Sequence, residues 1–161
     1  MNKISKRMAA LLVVTVLLTS ACKANIARNQ DGTFDVETSI SQRELQEVIT
    51  ASIADPLIKD ITVSLQSGYV LVSGERMRLN DNSKTDTLSF RLDLGASNGQ
   101  LTSSISNALL DGVAIDQNRV GLWNQTIANR LALLGSRNEN STLKSVTITP
   151  DTVTMTWNVT R

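Results

Sequence analysis

One cysteine and no histidine stand in this chain of 161 residues, and the two facts bound its chemistry. Without histidine the usual general base is missing, and with it the Ser-His-acid arrangement and the commonest metal ligand. Fifteen carboxylates remain, spread over turns and outward strand positions. Asp31/Asp35/Glu37 and Asp111/Asp116 come nearest to clusters. Carboxylates suit hard cations, so either group could help hold calcium, but neither follows EF-hand spacing and solvated turn residues are the plainer reading. No two carboxylates stand out as a hydrolytic pair. "SGYVLVSGE" is no phosphate loop, because its glycines flank a strand instead of opening a helix. The expectation is a non-enzyme with no catalytic residue, no metal and no cofactor. Cys22 is then either a thiol or a handle.

Its surroundings favour a handle. Lys3, Lys6 and Arg7 precede an apolar run from Met8 to Leu18, and Thr19-Ser20-Ala21 supply the small residues of a cleavage site. That is the layout of a secretory signal over residues 1–21. The run is shorter than the roughly 20 apolar residues that cross a bilayer. "LLTSAC" resembles the lipobox of bacterial lipoproteins, with Thr19 where leucine is usual. The resemblance implies that Cys22 receives a diacylglyceryl group and becomes the new N-terminus, giving the more-than-one chain that stable anchoring needs. Two other readings of these residues stay open: ordinary cleavage after Ala21 leaving a free cysteine, or an uncleaved N-terminal anchor. Lys23 follows the cysteine where aspartate would, by the same resemblance, hold a lipoprotein in the inner membrane. The expected address is the outer face of a bacterial membrane.

The rest is one domain's worth of chain. Cleavage leaves the 140 residues from Cys22 on, enough for a single core. The net charge is +1, and the leader's three cations leave −2 for the body. No basic cluster is left for nucleic acid. A lone cysteine forbids an intrachain disulfide, so the core alone must hold the fold.

Residues 22–38 are polar, contain the Asp31-Gly32 turn signal and read as a tether. The folded domain is expected over 39–161. Ser41-Gln42-Arg43-Glu44 fits a capping box, with Ile40 and Leu45 as a staple, and Leu45, Val48, Ile49 and Ile53 at helical spacing up to Asp55-Pro56. Strands follow. "LIKDITVSL" alternates through Ile61, Val63 and Leu65. In "YVLVSGERM", Val70 and Val72 oppose Tyr69 and Leu71, which fits a strand covered on both sides. "TLSFRLDLG" points Leu88, Phe90, Leu92 and Leu94 one way, and Asn98-Gly99 turns it into "QLTSSIS". "NALLDGVAID" fits a short helix, a bent strand end or a loop. A second helix carries Val120, Trp123, Ile127, Leu131 and Leu134, its stripe widened by Leu122, Ala128 and Leu133, with Gly135 as C-terminal cap. A final hairpin turns at Pro150-Asp151 and sends Val153, Met155, Trp157 and Val159 inward. Its alternate threonines read as a plain β-formed outer face rather than a flat surface for sugar or ice. The order is α-β-β-β-β-α-β-β: an α+β domain whose antiparallel sheet curls around the helices.

Trp123 and Trp157 are either core aromatics or the walls of an apolar tunnel, with Met155 adapting to a ligand. Periodicity does not separate the two. The order and spacing of "KDITVSLQSGYVLVSGE", "LSFRLDLGASNGQLTSSISNALLDGVAID", "VGLWNQTIANRL" and "LKSVTITPDTVTMTW" resemble the LmeA-like phospholipid-binding family and, more distantly, tubular lipid-binding domains. That resemblance implies a strongly curved antiparallel sheet wrapped around one long helix, with a second, N-terminal helix, holding acyl chains in the gap. Its lining would be Leu88, Phe90, Leu92, Trp123, Ile127, Leu131, Val153, Met155 and Trp157. The partners so implied are the membrane, through the anchor, and a phospholipid or other apolar ligand. The competing reading is a non-catalytic structural or interaction lipoprotein with a filled core, meeting another envelope protein or a second copy. "DITVSLQSGYVLVSGE" also resembles the strand-turn-strand of BON domains, although "TDTLSFRLDLG" continues here as strand where that family has a helix.

Overall fold

A computed structural model describes residues 25–136 and 140–160. The elements are β1 (Asn25–Arg28), β2 (Phe34–Ser41), α1 (Gln42–Ile53), β3 (Ile58–Gln66), β4 (Tyr69–Arg78), β5 (Asp81–Ser97), β6 (Gln100–Leu110), β7 (Val113–Ala114), α2 (Gln117–Gly135), β8 (Ser141–Ile148) and β9 (Thr152–Val159). They form two antiparallel sheets, ordered β1-β2-β9-β8 and β3-β4-β5-β6-β7. The class is α+β, but in place of the single, strongly curved sheet expected to wrap one long helix there are two sheets, neither closed nor strongly curled. The chain leaves the first sheet through α1, builds a meander, and returns only with its last hairpin.

The tether expected over 22–38 gives way, from Asn25 on, to β1 and β2. The inner positions of β2 are Val36, Thr38 and Ile40, all buried, and the threonine among them hides the alternation. Thr38 is tolerated there because its hydroxyl accepts the Trp157 indole N–H at 3.2 Å, so neither polar group is orphaned. The signal over 1–21 and the anchor at Cys22 lie outside the described residues.

α1 starts as its sequence requires. The Glu44 amide donates to Ser41 Oγ at 3.3 Å and the Ser41 amide to Glu44 Oε2 at 2.8 Å, a complete capping box. The helix ends in a left-handed Ala54, φ 48°. In the meander, Val63 pairs across Val72 to Phe90, and Leu65 across Val70 and Leu92 to Ile105, so one face is apolar throughout. The other face is open. Leu71 is 44% exposed, which corrects the expectation that β4 is covered on both sides. Asn98-Gly99 makes the two-residue hairpin, with φ of 51° and 76°. Asp111-Gly112 repeats that geometry at 52° and 79°, so the 107–116 stretch is a bent strand end followed by a second tight hairpin.

The two sheets are pinned at their turns. The Leu143 amide donates to the Gly99 carbonyl at 2.7 Å, and the Gly68 amide to the Ile148 carbonyl at 3.0 Å. α2 spans both sheets. Near its start the Trp123 ring lies 6.0 Å from Phe90 of β5. At its end Gly135 meets β9. The free edge of β6 is covered by the same helix: the Ile105 amide donates to Asn124 Oδ1 at 2.9 Å, and Ser103 Oγ to the Asn124 carbonyl at 2.6 Å. Such cover removes an aggregation-prone edge.

The buried stripe of α2 is narrower than expected. Val120, Trp123, Ile127 and Leu131 are buried, whereas Leu122, Leu133 and Leu134 are 64%, 79% and 54% exposed. Gly135 is not a left-handed cap either; it is the last helical residue, and Ser136 after it is extended. Its role is close approach. A Cβ there would stand 2.7 Å from Trp157 Nε1 and 2.8 Å from Met155 Cε, whereas one on Gly121 would meet nothing within 4 Å. Gly121→Ala should therefore raise stability by up to about 1 kcal/mol through helix propensity. Gly135→Ala should lower it by about 1–2 kcal/mol through overpacking, and urea denaturation of the two variants reads the opposite signs.

Candidate ligand groove on the outer face of the meander

The nine residues expected to line a tunnel come together in one place, the shared core. Leu88, Phe90, Leu92, Trp123, Ile127, Leu131, Val153, Met155 and Trp157 are all buried, none more than 4% exposed. β5, α2 and β9 position them, and the contacts at Gly135 show how closely the α2 end meets that wall. Of the nine, only Phe90 borders any of four surface grooves lined by described residues, and that groove opens on the far side of its strand.

The carboxylates nearest to clusters make structural contacts. Asp31 accepts from the Thr33 amide at 3.0 Å and hydroxyl at 2.7 Å. Asp35 accepts from Lys144 Nζ at 2.7 Å and from the Asn29 and Asn158 amides at 3.0 Å each. These partners, Lys144 foremost, hold its pKa down at about 2. Asp111 pairs with Arg78 at 3.1 Å, and Asp116 caps α2. Among the described residues no group of three acidic, histidine or cysteine side chains is placed to hold a metal. The most enclosed ion pair is at Asp55, whose side chain is 8% exposed. It receives Arg76 Nε at 3.0 Å, Arg119 at 2.7 Å and the Leu57 amide at 2.9 Å. Burial pushes its pKa up, but these donors outweigh burial and leave it below the ordinary 3.8. Asp55 thereby clamps the end of α1 to β4 and to the start of α2, where Arg119 also lies 5.2 Å from the Trp123 ring centre.

A groove remains that no periodicity announced. It lies on the outer face of β3 to β6, with a volume of about 590 Å³. The sheet register builds it in rows. Ser64 pairs with Leu71, and Leu71 with Arg91; Thr62 pairs with Ser73, Ser73 with Ser89, and Ser89 with Leu109. At its β6 wall the register slips between Ser89 and Arg91, where Asn107 adopts φ 51°. A bulge of this kind bends its strand, and asparagine is among the few residues that take the left-handed region at low cost. Arg91 stacks over Tyr69 with its guanidinium carbon 4.2 Å from the ring centre. The same group forks onto Asp93, with three contacts of 2.6–3.1 Å, so two planar groups are locked in place beside the exposed Leu71. The threonine ladder of β9 lies elsewhere, on the outer face of the four-stranded sheet, where Thr154 meets Ser39 at 3.5 Å. The chemistry offered by the groove is binding, through hydroxyls, an amide, a ring and two leucines, with no nucleophile-base pair.

The Asp55 clamp carries a pH signature. A lowered folded pKa means that its stabilisation is complete above 3.8 and fades as the pH falls through the folded value. Asp55→Asn should cost about 2 kcal/mol at pH 7, and that gap from the unaltered protein should narrow below pH 3.8; denaturation midpoints measured from pH 7 to 2 would show it, and a constant gap would contradict it. No protein family, no curated protein and no solved structure matches the chain.

Proposed function

We propose that this chain is a non-catalytic, membrane-anchored lipoprotein of a bacterial envelope, which works by binding a partner molecule on the outer face of its five-stranded sheet. The observation that carries this reading is the contrast between the two sides of that sheet. Its inner side is closed by the α2 stripe and the buried aromatics, while its outer side holds an open groove of a size common for ligand sites. The anchor reading adds a geometric constraint. From Cys22 to the first residue of β1, Asn25, three residues of extended chain reach about 11 Å at most. A lipid on Cys22 would thus hold the body against the bilayer surface and not on a long stalk.

A second reading is favoured by one observation. Val48 and Ala51 of α1 and Leu133 and Leu134 of α2 border an apolar groove of about 500 Å³. In the lipid-carrier reading, α2 would separate from the two sheets it spans and admit acyl chains between Trp123, Met155 and Trp157, entering beside these leucines.

Native mass spectrometry of the mature protein purified from its own membrane separates the two readings. The expected result is a chain beginning at Cys22 with a covalent diacylglyceryl adduct and no further lipid mass. A lipid that stays bound and leaves on gentle activation would overturn the filled-core reading in favour of the carrier, and an unmodified thiol on a soluble product would overturn the anchor.

A further inference from the structure

We infer that the groove on the outer face of β3–β6 takes a neutral saccharide chain. The inference rests on the proposed use of that groove and adds its ligand class.

Charge comes first. Arg91 is the one ionisable cation lining the groove, no carboxylate lines it, and the Asp93 fork holds that guanidinium in a bidentate pair. A phosphate or carboxylate could reach only the N–H groups that the fork leaves over, on a guanidinium whose charge Asp93 already offsets, and a cationic ligand would meet the guanidinium. A neutral ligand loses nothing. Hydrogen-bonding capacity comes second. Thr62, Ser64, Ser73 and Ser89 each present a hydroxyl that both donates and accepts, and Asn107 adds an amide that does the same. This is the complement of a polyol, whose hydroxyls also act both ways. Shape comes third. The stacked Tyr69 and Arg91 give a flat wall, and Leu71 and Leu109 give apolar contact, which suits the C–H face of a pyranose ring. Strands stand about 4.8 Å apart, near the length of one hexose unit, so successive sugars can sit on successive strands.

An extended peptide fits less well. Peptides join sheets through a free edge with backbone hydrogen bonds, but the groove lies on a face and presents side chains.

The test is calorimetric titration of the full mature chain in nanodiscs with cellohexaose and chitohexaose, both neutral. A heparin hexasaccharide and a threonine-rich decapeptide serve as comparisons, and hydrogen exchange locates each bound probe. Tyr69→Ala removes the wall. Asn107→Gly removes the amide while keeping the left-handed backbone available, and Thr154→Ala on the other sheet is the control; thermal melts confirm that all three fold. The expected result is saturable binding of at least one neutral hexasaccharide, independent of salt, with protection confined to β3–β6. Affinity should fall about tenfold in Tyr69→Ala and Asn107→Gly and stay unchanged in Thr154→Ala. If only the heparin fragment or the peptide protects this face, the assignment to a neutral saccharide is wrong while the groove stands. If no probe protects it, both the ligand class and the groove's proposed use are overturned.

Discussion

One helix has to satisfy two sheets at once, and the rest of the fold follows from that. The stripe from Val120 through Trp123, Ile127 and Leu131 is narrow, as a helix packed on one side requires, yet it reaches Phe90 in one sheet and ends against Trp157 and Met155 in the other. Gly135 makes the second contact possible because any side chain would hold the helix off. The first contact is steadied by Arg119 above Trp123 and by its bond to Asp55. With one cysteine in the chain there is no intrachain disulfide to brace it, and this shared wall of aromatic and aliphatic side chains does the bracing.

The closed interior decides where function can reside. With the inner faces of both sheets committed to α2 and to each other, chemistry is left to the surfaces. Of those, the outer face of the meander carries a groove of about 590 Å³, and its depth has a local cause. A single left-handed asparagine at 107 bends β6 where a regular strand would have stayed flat. Beside it the Tyr69-Arg91-Asp93 set is rigid without being charged overall. A site of this make-up presents hydroxyls, an amide and a flat ring, which is what the proposed saccharide reading draws on.

Much of the architecture was legible because burial here follows simple periods. The α1 capping box, the alternation through Leu88, Phe90 and Leu92, the Asn98-Gly99 turn and the inward row of β9 all read correctly, each resting on a local rule. What escaped depends on partners distant in the chain. β2 hid behind Thr38, whose burial makes sense only beside Trp157, 119 residues away. The leucines at 122, 133 and 134 looked like core because composition does not say where a neighbour is missing. The division into two sheets rests on β2 pairing with β9, which no window of sequence contains. Nor did any period mark the groove. Ser89 and Arg91 alternate with the inward Leu88, Phe90 and Leu92, but the bulge that turns this outer face into a concavity has only Asn107 as a signal, in a stretch whose sequence fits helix, strand end or loop alike. Asp111-Gly112 was a hairpin signal of the ordinary kind and was available to be read.

A surface-bound ligand and a fixed α2 both require the interior around Trp123 and Trp157 to be full. Fluorine NMR of the protein labelled with 5-fluorotryptophan, assigned through Trp123→Phe and Trp157→Phe, reports on both walls directly. With phospholipid vesicles added in excess, the two resonances should keep their positions and widths, as they must if neither ring borders space that an acyl chain can enter. A displacement of both lines that saturates with lipid would show the helix parting from the sheets, and would contradict the account.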